Sequence, residues 1–250
     1  MNNALLEVHN VTKRFGGLTA NKDISFNISK GQITGLIGPN GAGKTTLFNL
    51  ITGTAIEGYS RLPDEGHVIF KGNNITGLKP NSICKQGMVR TFQNSICLDS
   101  MTALGNVMIG ALVRTSLIND AKKKAVKYLE TVGLKDKRNI ISSNFTVADK
   151  KKLEIARALA TEPELLLLDE PMSGLTPLEL KEEVNLIKDI NQKGITIFII
   201  EHVMEALMPI ADYIIVLDSG EKIASGTPKE VVKNSKVTKA YMGVDYAIIS

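Results

Sequence analysis

A run of nine residues, Gly38-Pro39-Asn40-Gly41-Ala42-Gly43-Lys44-Thr45-Thr46, carries the plainest chemistry in the sequence. The spacing is Gly, four residues, Gly, Lys and a hydroxyl residue, set between an expected strand at 33–37 and a helix expected from about Lys44. Glycines so spaced let the backbone curl until successive N–H groups converge on phosphate oxygens. The helix that follows offers its positive end to the same anion. Lys44 can then reach β- and γ-phosphates, and the Thr45 hydroxyl can ligate Mg²⁺.

Two acids, Asp169 and Glu170, end the apolar run Leu165-Leu166-Leu167-Leu168. In an open α/β sheet ligands gather at the carboxyl ends of strands, so both acids face the phosphate loop from a neighbouring strand. Asp169 can hold Mg²⁺ through water, which leaves Glu170 to orient and deprotonate an attacking water. His202 follows the apolar run 195–200, again at a carboxyl end, within reach of a γ-phosphate or that water. His9 and His67 have no such setting and are read as surface residues.

The elements that must position these groups are legible in outline. Short runs of Ile, Val and Leu alternate with helical patterns, which argues for a mostly parallel sheet with helices packed on it. Strands are expected at 33–37, 165–168, 195–200 and 213–217, and Gly53 is a plausible stop for the first helix. Leu180, Val184, Ile187 and Ile190 fall at helical spacing, with Gly194 as a stop. Residues 5–29 and 66–75 alternate as antiparallel strands do. From about Gln93 to Ala160 the pattern is helical; Ala121, Ala125, Leu129 and Val132 form a stripe that Asn119 could cap and Gly133 could end. The reading is one domain: an α/β core from 1–92 and 161–250, with a helical subdomain inserted at 93–160.

Composition narrows the class. The chain has 250 residues, 43% hydrophobic and 22% charged, as an ordinary globular domain does. Its formal charge of +4 is a mild excess that does not call for nucleic acid. Cys84 and Cys97 are too few for a zinc site or disulfide framework, so a reducing compartment is expected. The amino terminus lacks the pattern of a secretion signal. No apolar run approaches the ~18 residues of a membrane span, so if the protein serves a membrane another chain must cross it.

With these pieces placed, the sequence resembles the nucleotide-binding subunits of ATP-binding cassette (ABC) transporters nearly end to end. The resemblance implies a P-loop NTPase, RecA-like core and binding of ATP with Mg²⁺. Phe15, in Lys13-Arg14-Phe15-Gly16-Gly17, matches the aromatic that stacks on adenine, and Gln93, in Arg90-Thr91-Phe92-Gln93-Asn94, matches the glutamine that senses Mg²⁺. Gly174-Leu175-Thr176-Pro177 matches the segment that crosses between subunits. Within the superfamily the chain most resembles branched-chain amino acid importer subunits, through that segment, Arg90 to Asn94 with Met101-Thr102, Ile200-Glu201-His202, and the tail motifs Gly226-Thr227-Pro228-Lys229-Glu230-Val231 and Ala240-Tyr241-Met242-Gly243. This resemblance implies a peripheral subunit at the cytoplasmic face of the membrane. Its partners would be a second ATP-binding subunit, identical or different, two transmembrane permease subunits and a solute-binding protein. The alternatives are an exporter cassette for lipid or lipopolysaccharide and a weakly hydrolysing regulatory subunit. A soluble cassette protein acting on ribosomes or DNA usually carries two cassettes or a long coiled coil, and this sequence has neither.

One motif departs from the family. Where LSGGQ begins a helix and caps the partner's γ-phosphate, this sequence has Phe145-Thr146-Val147-Ala148-Asp149. Thr146 keeps a hydroxyl for that contact, but both glycine positions are lost, and β-branched Val147 approaches phosphate poorly. Asp149 either opposes the polyanion, at about 3 kcal/mol for charges about 5 Å apart at an effective dielectric near 20, or favours the positive end of its own helix. Lys150, Lys151 and Lys152 could offset its charge, or form a solvated helix face. The expectation is a chain that pairs with a different cassette and supplies it an impaired signature. Two smaller departures are Val203, where Asp is common, and an apparent insertion at 57–61.

Overall fold

The four apolar runs become strands of a single sheet whose two faces are both covered. The computed structural model describes residues 4–93 and 96–241. In chain order the first elements are β1 (Ala4–Phe15), β2 (Leu18–Ser29), β3 (Ile33–Ile37), α1 (Lys44–Thr52), β4 (Glu65–Phe70), β5 (Asn73–Asn74), α2 (Pro80–Gln86) and β6 (Met88–Arg90). Three helices follow, α3 (Ala103–Ala111), α4 (Ile118–Thr131) and α5 (Val147–Leu159). The chain then returns to the sheet with β7 (Leu165–Asp169), α6 (Pro177–Gln192), β8 (Thr196–Ile200), α7 (Met204–Leu207), β9 (Tyr213–Asp218), β10 (Glu221–Gly226), α8 (Pro228–Val232) and α9 (Ser235–Tyr241).

The larger sheet runs β10-β9-β3-β8-β7-β6, parallel except for β10. The smaller is antiparallel, in the order β2-β1-β4-β5. Strand β7 shows why the layers form. Leu165 and Leu167 enter the core shared with the small sheet and α1, whereas Leu166 and Leu168 enter the core beneath α3, α4, α5 and α6. Each of the four is fully buried, and burying one leucine side chain stabilises by about 1.5–3 kcal/mol. A run apolar at every position fits a strand covered on both faces.

Because the central strands are parallel, their carboxyl ends lie along one edge. The register sets Asp169 opposite Ile200 and Ile200 opposite Leu36, so the segments leaving β7, β8 and β3 emerge side by side. Arg90, the last residue of β6, is registered with Leu167 on the next strand.

Helices α3 and α4 pack on each other and on α5, with Ala121, Ala125, Leu129 and Val132 buried as the stripe expects. The start of α4 differs from expectation. Leu117 occupies the N-cap, two residues before Asn119, which lies inside the first turn; the Leu117 amide donates to Thr115 Oγ1 at 3.2 Å as the chain enters the helix. Gly133, at φ +76°, does follow the helix end. Strand β8 begins at Thr196, one residue later than expected. Asn94, Met242 and Gly243 of the motifs above lie outside the described residues.

Candidate functional site

Gly38 to Gly43 bridges β3 and α1, and its conformation requires glycine where α1 begins. Gly43 is the N-cap of α1 at φ +94°, and a Cβ there would lie 2.2 Å from the Ala20 carbonyl. The buried Asn21 donates to the Gly43 carbonyl at 3.2 Å, which clamps the loop against β2. Pro39, Asn40, Gly41 and Ala42 form the turn; the Ala42 amide donates to the Pro39 carbonyl at 3.2 Å, and the Ala42 side chain is buried. Lys44 folds back into the loop, donating to the carbonyls of Gly38 at 2.7 Å and Pro39 at 3.0 Å. Burial lowers its pKa, partly opposed by the negative charges of Glu170 and Asp169. Thr45 is exposed and Thr46 half-buried in the first turn of α1. A curled backbone that a Cβ would obstruct, a helix amino end and an ammonium beside both form a cradle for a polyphosphate.

The carboxyl edge gathers the remaining groups. Glu170 Oε2 accepts from Gln93 Nε2 at 2.8 Å and lies 3.6 Å from His202 Nδ1. These three side chains come from the segments after β7, β6 and β8. The Glu170 backbone is left-handed at φ +50°, a conformation that costs a non-glycine residue about 1–3 kcal/mol and marks functional sites.

Asp169 is 3% exposed, and its Oδ2 accepts from Arg90 Nη2 at 2.5 Å. Arg90 also donates to Asn49 Oδ1 and stacks its guanidinium over Phe48 and Phe92, at 5.4 and 5.2 Å from the ring centroids. Among the described residues no group of three or more His, Cys, Asp or Glu side chains could hold a metal alone. Asp169 and the Thr45 hydroxyl are of the oxygen type that Mg²⁺ takes, one or two from the protein beside substrate phosphates and water.

Phe15 lies at the end of β1, half-buried, and meets Tyr59 edge-on at 4.7 Å. Tyr59 belongs to the apparent insertion at 57–61, so that segment brings a second ring to Phe15. Thr146 sits at the N-cap of α5, where its hydroxyl accepts from the Asp149 amide at 3.1 Å. Asp149 is in the first turn of α5, and its carboxylate accepts from Lys137 Nζ at 2.6 and 2.8 Å. Lys150, Lys151 and Lys152 neither offset that charge nor form a simple solvated face. Lys150 and Lys152 turn to Asp99 and Glu182, and Lys151 points inward. In the segment 174–177, Thr176 caps α6 through a reciprocal pair with Glu179.

Sequence reasoning passed over several residues that shape this edge. Arg90 and Glu201 were read only as parts of motifs, and Asn21 not at all. Glu201 is fully buried and accepts from the amides of Met172 at 2.6 Å and His202 at 3.1 Å, joining the turns after β7 and β8. Burial raises its pKa, and those amides oppose the rise. An acid directly following an apolar strand is a usable signal, as it was for Asp169.

The acids do not lie on the strand next to the phosphate loop, as the sequence reading expects: β8 runs between β3 and β7. A parallel sheet with a phosphate cradle after β3 and an acid-bearing strand beyond the adjacent one defines the class of P-loop nucleotide-binding folds. The comparisons narrow that class. Residues 21–173 match the ABC transporter family, and residues 221–247 match the family described as branched-chain amino acid ATP-binding cassette transporter. The chain is 38% identical to the high-affinity branched-chain amino acid transport ATP-binding protein LivG of Salmonella typhimurium, across 97% of this chain and 99% of that one. It is 36% identical to the corresponding BraF protein of Pseudomonas aeruginosa, over the same share of this chain and 99% of the relative. Among solved structures, an ATP-binding cassette of an ABC transporter in its ADP conformation superposes with a TM-score of 0.85 at 33% identity, covering 96% of this chain and 99% of that one. The chain therefore belongs to the ABC transporter family of ATP-binding cassettes. No helix among the described residues is long and apolar enough to cross a membrane.

Proposed function

We propose that the chain binds ATP with Mg²⁺ and hydrolyses it to drive import of branched-chain or other hydrophobic amino acids through separate permease subunits. The observation that carries the hydrolytic reading is the meeting of Glu170, Gln93 and His202 at the sheet edge shared with the phosphate loop. The solute class is supported by the names of the relatives and by the match of the carboxy-terminal segment.

In this reading Phe15 stacks on adenine, an aromatic face offered to an aromatic face. The amides of 38–46 hold the phosphates, and Lys44 leaves the Gly38 and Pro39 carbonyls for β- and γ-phosphate oxygens. Thr45, Gln93 and Asp169 would hold Mg²⁺, which supplies charge neutralisation on the phosphates when bound. Glu170 orients a water and takes its proton as the water oxygen bonds to the γ-phosphorus. The bond to the β–γ bridging oxygen breaks, leaving ADP and inorganic phosphate. His202 steadies the γ-phosphate or the water. The residues 93–160 act as a helical subdomain that grips a permease helix from the cytoplasmic face. Closure on nucleotide does work only if the two states differ in nucleotide affinity.

The altered signature sets the partner. Val147 and Ala148 stand where the family has two glycines, and only the charge of Asp149 is offset, by Lys137, so this chain offers its companion a poor cap for γ-phosphate while keeping its own loop, Asp169, Glu170 and His202. We infer pairing with a different cassette that supplies the better signature, alongside two permeases and a solute-binding protein, with no nucleic acid involved. In the assembled complex, Glu170→Gln is expected to abolish most ATPase activity, and the equivalent change in the companion to be milder. The reverse order of severity would refute the asymmetry. Stimulation of the ATPase by a binding protein loaded with leucine, isoleucine or valine, and none with polar amino acids, tests the solute class.

A further inference from the structure

The backbone of Glu170, at φ +50°, needs support on both sides of the residue to stay left-handed. On one side its amide donates to the Ile200 carbonyl at 2.9 Å, across to β8. On the other its carbonyl accepts from Lys151 Nζ at 2.9 Å and from Ser173 Oγ at 3.1 Å. Lys151 also donates to Ser173 Oγ at 3.2 Å, which closes a small ring of polar contacts under the turn.

Lys151 is 7% exposed, and lysines are almost never so buried unless paired. Burial lowers its pKa, and the charges of Glu201, Glu183, Glu154 and Glu170 oppose that. Its position is informative too. It lies on α5, the helix that begins at the altered signature, and its ammonium crosses to the turn that carries the water-activating acid. Glu201 binds the same turn through the Met172 amide and the His202 turn through its amide. The hydrogen bonds of its ammonium go to the main chain of Glu170 and to Ser173.

We propose that Lys151 is a positioning residue for hydrolysis, holding the Glu170 carbonyl so that the Glu170 carboxylate is aimed at the phosphate site, and thereby tying that aim to α5. The proposal rests on the reading of Glu170 as the group that activates water.

The test compares Lys151→Met, Lys151→Arg, Glu170→Gln and the double variant Lys151→Met/Glu170→Gln in the full-length chain assembled with its companion cassette and permeases. ATP affinity, turnover and amide hydrogen exchange across residues 170–174 are read for each. Lys151→Met is expected to lower kcat about tenfold with ATP affinity and KM within about twofold, the signature of a misplaced group rather than a lost binding site. Lys151→Arg restores most of the rate, Lys151→Met adds nothing on the Glu170→Gln background, and exchange at Met172 and Ser173 quickens in Lys151→Met while that of β3 and α1 does not. Unchanged turnover and exchange in Lys151→Met, or losses of rate, affinity and thermal stability in step, would overturn the proposal. If Glu170→Gln turns over like the parent, the assignment of Glu170 fails instead, and the exchange data still decide whether Lys151 holds the turn. Should Lys151→Met not fold, Lys151→Gln against Lys151→Arg makes the same comparison, with the shorter amide expected to give the slower enzyme and equal rates counting against the role.

Discussion

Three acids of this chain meet three fates, decided by what each finds nearby. Asp169 is buried against the Arg90 guanidinium, and Glu170 is turned toward Gln93 and His202. Glu183, on α6, is 1% exposed, and its Oε1 has no hydrogen-bond partner among the described residues. Burial pushes the Glu183 pKa up to about 7, against the pull of Lys152 and Lys151. Between the ordinary carboxylate value of 4.5 and about 7, the folded chain therefore keeps a proton that the unfolded chain releases. The free energy of unfolding contributed by this group falls as pH rises through that window and levels off above it. Glu183→Gln should remove this slope and stabilise the chain at pH 8 by on the order of 2 kcal/mol. Denaturant titrations of both proteins from pH 5 to 8 check it, and parallel pH curves would contradict it.

At the scale of elements, the site is a consequence of strand direction. Parallel β3, β7 and β8 deliver the loop, the acids and His202 to one edge with no further device, which is why those parts are legible in the sequence. Each announces itself by an apolar run and the residue that ends it. What escapes such reading lies where elements are too short or contacts too distant to leave a period. Strand β6 has three residues, so Arg90 gives no hint that it ends beside an acid-bearing strand. Lys137 reaches Asp149 from a separate turn twelve residues upstream, outside helical spacing. Lys151 and Glu183 look like members of solvated helix faces, and only packing shows that both point inward. The loop itself offers an element-scale prediction. Gly43→Ala adds a Cβ 2.2 Å from the Ala20 carbonyl at a left-handed position. It should cost about 2 kcal/mol of stability, mainly through backbone strain, and weaken ATP binding in proportion to the displaced loop. Chemical denaturation with parallel binding titrations measures both, and a variant as stable and as tight as the parent would show that the clamp by β2 is unimportant.

For the whole molecule, two cores lie on the two faces of one sheet, and the helices α3–α5 share the core of one face with α6. Those helices are thus packed, through buried side chains, against the strands that carry the acids. The altered signature opens α5, and Lys151 in the next turn of the same helix reaches the turn of Glu170, so one helix end carries both what the chain offers its companion and a hold on its own acid. All of this presupposes that the cradle after β3 takes a triphosphate. The most direct measurement is calorimetric titration of the purified chain with MgATP, alongside Lys44→Ala. One ATP per chain is expected in the parent, and binding weaker by about ten- to a hundredfold in the variant, since a charge-assisted contact to phosphate is worth about 1.5–3 kcal/mol and the loop loses the Lys44 ammonium. Equal heats and affinities in the two proteins, or no binding to the parent, would contradict it.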